Sequence, residues 1–387
     1  MALINGELLG KQRSIVMINL NALSQINKII EHDKVSSTYK FALLKSTIDA
    51  CQRYEHLITF EGEMALIPIG LLVESWIFDY LPFVFNSLRQ QNSGNVLNRE
   101  IESAYQQLFD TLKLSPLLTT WEDAYQTIYK QYSLLQMTSE QSRIMLRLSQ
   151  AIAKTITTMP MRYSGATDYE IFIPDKKNFG RINITGHFNR EFLVNTFDTF
   201  KISKDHYNIF RYMGQSLYGV STIARRWKEI TYKLNNKSLM IDSVDTMIFK
   251  TIFTDRDTKV GRKYLPEDCE CVWTNKPLVN GHYDVDHLLP YSVWLNNDLW
   301  NLLPSDPKIN NQKSDKIPAP SLIDRQRELI ISYWDIYEKA VPELFEYQVR
   351  TSLTIKSADK NNLIDSLCKK AEYLIDQRGY DAFEIML

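Results

Sequence analysis

A chain of 387 residues is long enough for two or three domains at roughly 150 residues each. Its 44% hydrophobic and 24% charged residues are the composition of a folded globular protein and exclude a disordered one. The formal net charge of −1 argues against a protein that coats DNA non-specifically, while leaving room for a local basic cleft.

The opening stretch MALINGELLGKQRS has neither the charged nor the apolar region of a signal peptide. The longest apolar runs, such as MALIPIGLLV, are too short to span a bilayer. The expectation is a soluble, cytoplasmic chain with no membrane partner. The four cysteines, Cys51, Cys269, Cys271 and Cys368, show no disulfide-framework spacing, which suits a reducing compartment.

Residues 1–158 read as a helical domain for recognition, partner binding or oligomerisation. Ile69, Leu72, Val73, Trp76, Ile77 and Tyr80 recur at helical spacing and form one apolar stripe, with Pro68 suited to the first turn. Thr119 or Thr120 is placed to cap the helix TWEDAYQTIYKQY, whose acidic first turn favours the helix dipole. SEQSRIMLRLSQAIAKTI continues the pattern.

Pro and Gly punctuation begins near Met159, so residues 159–262 read as a mixed linker and helical region. It holds short strands such as YEIFI, a helix around SLYGVSTIARRWKEITYKL and a break at Asn235-Asn236-Lys237. Residues 321–387 are helical again. There, Leu322, Leu329, Ile330, Tyr333, Trp334 and Tyr337 share one face.

The polar stretch YDVDHLLPYSVWLNNDLWNLLPSDPKINNQKSDK, Tyr283 to Lys316, interrupts this order. YDVDHLL and LWNLLP each suit a short strand, joined by a loop from Pro290 to Asp298. SDPKINNQKSDK suits a short helix with Ser305 or Asp306 as cap and Pro307 in its first position. A strand–loop–strand–helix unit of this size has no core of its own and must be braced by its surroundings. Folding the helix onto the hairpin would join Asp286 to Asn310, giving two hard oxygen ligands that suit Mg²⁺ with water and phosphate. His287 faces the opposite side of its strand and is placed to act as a base.

Asp286-His287, Asn301, Asn310 and Lys313 together resemble the HNH, or ββα-metal, endonuclease motif. The resemblance is nearest to the HNH module of the RNA-guided CRISPR nucleases, and CVWTNKPL from Cys271 resembles the segment that leads into the motif. It covers about residues 265–320, within a module assigned to 263–320. It implies a mostly α protein with a small α+β HNH module near the C-terminus, braced by helices. It also implies a DNA endonuclease in which Asp286 and Asn310 hold one Mg²⁺ or Mn²⁺ and His287 activates water. Asn301 then braces the loop behind His287, and Lys313 sits near phosphate. The rest of the chain loosely resembles bacterial HNH proteins of restriction or phage defence. That setting would bring a homodimer, a partner protein or a trigger.

Cys269-Glu-Cys271 has no second pair in the segment, so no structural zinc is expected. Lys308, Lys316, Arg262 and Lys263 are candidate DNA contacts, within a run that also holds Lys259, Arg325 and Arg327. His282, His187 and His206 are assigned no role, and Arg225-Arg226 beside Trp227 suits solvated Arg next to a packed Trp. Two other functions fit the same residues: a nucleic-acid-binding or scaffold protein with a non-cleaving HNH module, and a nuclease for RNA or structured DNA.

Overall fold

Two buried cores organise the chain. The computed structural model describes residues 18–33, 35–112, 119–165, 170–175, 182–218, 222–235, 241–249, 256–353 and 359–385. The opening MALINGELLGKQRS, Asn236-Lys237 and parts of the Pro- and Gly-punctuated region lie outside these residues. Hydrophobic side chains from Ala22 to Ile248 form the first core, and those from Leu265 to Phe383 form the second. The texture change near residue 158 is therefore not a boundary between cores, because Phe172, Phe188 and Phe200 pack into the first. No helix among the described residues is long and apolar enough to cross a membrane.

The first core is built from α1 (Leu20–Glu31), α2 (Tyr39–Arg53), β1 (Thr59–Glu61), β2 (Met64–Pro68), α3 (Ile69–Phe85), α4 (Arg99–Leu112), α5 (Trp121–Ser133) and α6 (Ser139–Thr158). It continues through α7 (Pro160–Tyr163), β3 (Ile173–Pro174), α8 (Arg190–Thr196), β4 (Thr199–Ser203), α9 (Lys204–Tyr218), α10 (Ile223–Leu234) and α11 (Ile241–Phe249). Thr120 caps α5 and Thr138 caps α6, each through a reciprocal capping box that satisfies two first-turn donors. The stripe from Ile69 to Tyr80 is fully buried, but α3 is buried on nearly every side, and Pro68 stands just before it as N-cap. Its internal carboxylates are therefore paired: Glu74 takes Arg190 Nε at 2.6 Å, and Asp79 takes Lys45 Nζ at 3.0 Å.

Sequence periodicity missed a small antiparallel sheet of order β1-β2-β4-β3. Its first hairpin turns at Gly62, whose φ of +58° lies in the region that favours glycine. YEIFI contributes only its last residue, Ile173, to the two-residue β3.

The second core holds α12 (Lys259–Arg262), β5 (Cys269–Glu270), β6 (Pro277–Leu278), β7 (Asp284–His287), α13 (Tyr291–Trp294), β8 (Leu302–Ser305), α14 (Pro307–Lys313) and β9 (Ile317–Pro318). Around it lie α15 (Pro320–Arg325), α16 (Arg327–Ala340), α17 (Pro342–Ser352), α18 (Lys360–Glu372) and β10 (Ala382–Phe383). The protein is thus mostly helical, with a short β-strand and helix unit near the C-terminus.

The aromatic stripe of α16 does more than fill space. Tyr337 donates its hydroxyl to Leu302 O at 2.7 Å, Trp334 its indole N–H to Trp300 O at 2.9 Å, and Tyr333 its hydroxyl to Glu270 O at 2.6 Å. Apolar rings with polar tips thus hold the backbone of the small unit from one side.

Candidate active site

β7 and β8 pair antiparallel, with Asp286 opposite Leu303 and His287 opposite Leu302. Asp284 and Asp286 therefore share one face of β7, and His287 takes the other. Asp306 caps α14, accepting from the backbone N–H groups of Lys308 and Ile309, with Pro307 in the first position. The expected strand at Leu299–Pro304 starts later. A tight turn at Leu299–Asn301 closes through Asn301 N to Asp298 O at 2.9 Å, and β8 follows.

Asn301 is wholly buried. Its Oδ1 accepts from Leu289 N at 2.7 Å, and its Nδ2 donates to Leu289 O at 3.0 Å. The Asn301 backbone carbonyl also accepts from Leu288 N at 2.7 Å. The chain leaving His287 is thus pinned at two consecutive residues. Asn301→Ala would strand a buried donor and acceptor of Leu289. Each orphaned group costs about 1–3 kcal/mol, so a loss of about 2–4 kcal/mol is expected in urea unfolding.

His287 is 1% exposed. Its Nε2 lies 2.9 Å from Asn297 Oδ1, and that oxygen also accepts the backbone N–H of Asp257 at 3.0 Å. An oxygen already receiving one N–H identifies Nε2 as the protonated nitrogen. Nδ1 then carries the lone pair, and it is buried without a hydrogen-bond partner. Burial holds the imidazole well below its ordinary value, at about 4, opposed by the Asn297 hydrogen bond and reinforced by the charges of Arg256 and Lys313.

On the other face, Lys313 is fully buried. Its ammonium donates to Asp286 at 3.0 Å and to His287 O at 2.7 Å. Trp273 Nε1 adds a third contact, 3.3 Å from Asp286 Oδ2. Burial raises the Asp286 carboxyl above the usual range and lowers the Lys313 ammonium, while their mutual attraction opposes both.

Asn310 does not join Asp286 as the folding of the hairpin led us to expect. Its Nδ2 donates to Asp284 Oδ2 at 2.9 Å. Asn310 and Lys313, three residues apart on α14, thus meet Asp284 and Asp286, two residues apart on β7, as two separate pairs. Among the described residues no three His, Cys, Asp or Glu side chains gather as a metal site. The donor chemistry still fits a hard divalent cation. Asp286 would offer carboxylate oxygens once the Lys313 ammonium, which now lies against both of them, gives way, and Asn310, its N–H turned to Asp284, would offer its amide oxygen.

The candidate DNA contacts divide. Arg262 turns inward, donating to Tyr283 O at 2.7 Å and to Gly281 O, with its guanidinium 3.7 Å above the Tyr283 ring. It is a clamp on the chain entering β7, with two of its donors held by backbone carbonyls. Lys263, Lys308 and Lys316 are exposed. Arg327 pairs with Asp324 and Asp365, and Arg325 donates to Ile385 O. All four cysteines are free thiols, and Cys271 Sγ accepts from Asp306 N at 3.3 Å. His206 bonds Ser203 and Gln25, and His187 lies 3.1 Å from Glu343. Trp227 is buried, beside Arg225 and Arg226 paired to Glu229.

Sequence reasoning missed Asn297, Asp284 and Trp273. The alternation of YDVDH carried the signal for Asp284, which must share a face with Asp286. Nothing in the loop's polar run singles out Asn297 from Asn296.

Residues 19–247, more than half of the chain, match the family model described as a domain of unknown function (DUF8808). Residues 271–319 match the model of an HNH endonuclease domain. No curated protein matches the chain.

Proposed function

We propose, for a chain that belongs to the DUF8808 family and carries an HNH endonuclease module at residues 271–319, that it hydrolyses DNA phosphodiester bonds with His287 as the general base. The observation that carries this reading is the buried Nδ1 of His287, unpartnered on a ring whose other nitrogen is fixed by Asn297. A neutral imidazole with one free lone pair is the form a base must have. In the proposed reaction Nδ1 takes a proton from water, and the water oxygen bonds to phosphorus. The bond to the 3′ oxygen breaks and that oxygen takes a proton from solvent, leaving a 3′-hydroxyl and a 5′-phosphate.

Asp286 and Asn310 would hold one Mg²⁺ or Mn²⁺. A divalent cation bound there supplies charge neutralisation for the phosphate and the leaving oxygen. Asn301 keeps the loop after His287 in register, and Lys313 balances Asp286 when no cation is bound. Lys263, Lys308 and Lys316 remain proposed phosphate contacts. One module cuts one strand, so double-strand cleavage would take a second copy. We place the activity in the cytoplasm, in restriction or phage defence. That setting rests on the loose resemblance of the helical region alone.

Purified protein is expected to nick supercoiled plasmid with Mg²⁺ or Mn²⁺ and to lose all nicking in EDTA. Cleavage that persists in EDTA would sink the metal-dependent reading. Metal-dependent loss of RNA with plasmid left intact would move the substrate from DNA to RNA.

A further inference from the structure

The DUF8808 region and the HNH region meet along a groove that leads to His287. It has a volume of about 450 Å³ and is lined by Gln126 and Lys130 of α5, by Arg256 and Lys259, and by Asn297. We propose that this groove is a DNA-strand channel in which Lys130, Arg256 and Lys259 hold backbone phosphates flanking the scissile one, so that the DUF8808 region supplies one wall of the nuclease's substrate site.

Four observations support the assignment. All three cations are exposed, and none of them makes an ion pair or a side-chain hydrogen bond among the described residues. Elsewhere on the surface Arg225, Arg327 and Arg350 are matched with carboxylates. Three unmatched cations facing one groove are what a phosphate backbone neutralises.

The two carboxylates in the groove are committed to the protein. Asp298 accepts from Ser352 Oγ at 2.6 Å and Trp300 Nε1 at 3.0 Å, and Asp257 Oδ1 accepts from Lys259 N at 3.0 Å.

The floor of the groove is Asn297, whose Oδ1 holds the ring of His287. A strand lying in the groove is therefore one side chain away from the proposed base. Arg256 is near enough for its charge to act on Asp286, His287 and Lys313 together.

Finally, the volume is that of a small-ligand pocket, a few hundred cubic ångströms. It suits the backbone of one strand instead of a whole duplex.

The inference rests on the nuclease reading for what happens at the end of the groove, so it is tested by binding alone. Wild-type protein in EDTA is titrated against fluorescein-labelled single-stranded and duplex DNA, followed by anisotropy across a salt series. The test variant carries Lys130→Glu, Arg256→Glu and Lys259→Glu. A variant of equal charge carries Arg143→Glu, Arg147→Glu and Lys154→Glu on the outer face of α6.

The groove variant is expected to bind on the order of a hundredfold more weakly. Its salt slope should be shallower by about one for each lost contact, while the α6 variant stays within a few-fold of wild type. Equal losses in both variants would reduce the effect to net charge and overturn the channel. So would unchanged binding by the groove variant, or no binding by the wild type to either DNA. Groove-dependent binding without metal-dependent nicking would keep the channel and remove the nuclease reading.

Discussion

His287→Ala is expected to cut the nicking rate by at least a hundredfold, and by as much as ten-thousandfold, the range spanned by general bases. DNA binding in EDTA should stay within a few-fold of wild type. His287→Gln is the companion variant, because its side chain reaches toward Asn297 but has no titratable lone pair. The ring packs edge-on to Tyr291 at 5.3 Å between centroids, so Ala also loosens local packing and Gln does so less.

The pH dependence separates the chemistry from the packing. Burial places the imidazole at about 4, from an ordinary 6.5. A base must be neutral, so nicking is expected to persist from neutral pH down toward pH 5 and to fall as pH passes 4. An exposed imidazole would lose activity near 6.5. Stability follows the same sign. The folded state favours neutral His287 and the unfolded state takes up its proton first. The contribution is thus fully present above about pH 6.5 and is lost as pH falls toward 4, roughly 3 kcal/mol in all. Urea midpoints of wild type and His287→Gln at pH 7.5 and 4.5 measure it, and the wild type should lose more between them. Parallel losses would mean that the ring is not held neutral by burial.

Lys313→Met is expected to be the most destabilising of these substitutions, at about 3–5 kcal/mol, because it leaves Asp286 as an unpaired charge inside the protein. Asp286 is 3% exposed and, among the described residues, has no other cation in contact. The double variant Asp286→Asn with Lys313→Met removes the charge along with its partner and should recover most of the loss. The same pair reports on the cation. If Asp286 takes a divalent ion in place of the ammonium, Mn²⁺ should raise the Tm of Lys313→Met by more than that of wild type. It should not raise the Tm of the double variant. Equal shifts in all three proteins would place the cation elsewhere.

Much of the module was legible because its signals are local. Alternation in YDVDH, the Asp306-Pro307 cap and the helical spacing of Asn310 and Lys313 each act within a few residues, and each stands in the structure where the sequence puts it. What failed was pairing across elements. Asn310 meets Asp284 instead of Asp286, because Lys313 reaches Asp286 first. Arg262 is spent on Gly281 and Tyr283 carbonyls. Such contacts depend on how α14 and α12 sit against β7, and no periodicity encodes that. The small sheet in the first core was missed for a related reason: β2 and β4 are far apart in sequence and short. The cap of α5 was legible for the opposite reason.

The aromatic tips of α16 bear on how far the nuclease unit is portable. A cassette cut from this chain at the ends of the HNH match, 271–319, would leave the backbone carbonyls of Trp300 and Leu302 without Trp334 and Tyr337, and would lose the Tyr333–Glu270 tie altogether. Leu299 N would also lose Gln348 Oε1, which it reaches at 2.8 Å. The HNH match covers residues 271–319, but the contacts that hold its hairpin come from α16 and α17 downstream and from Arg262 upstream. Fusion to a DNA-binding protein, or recombination between relatives, must move the hairpin together with α12 and α15 to α18 as one block.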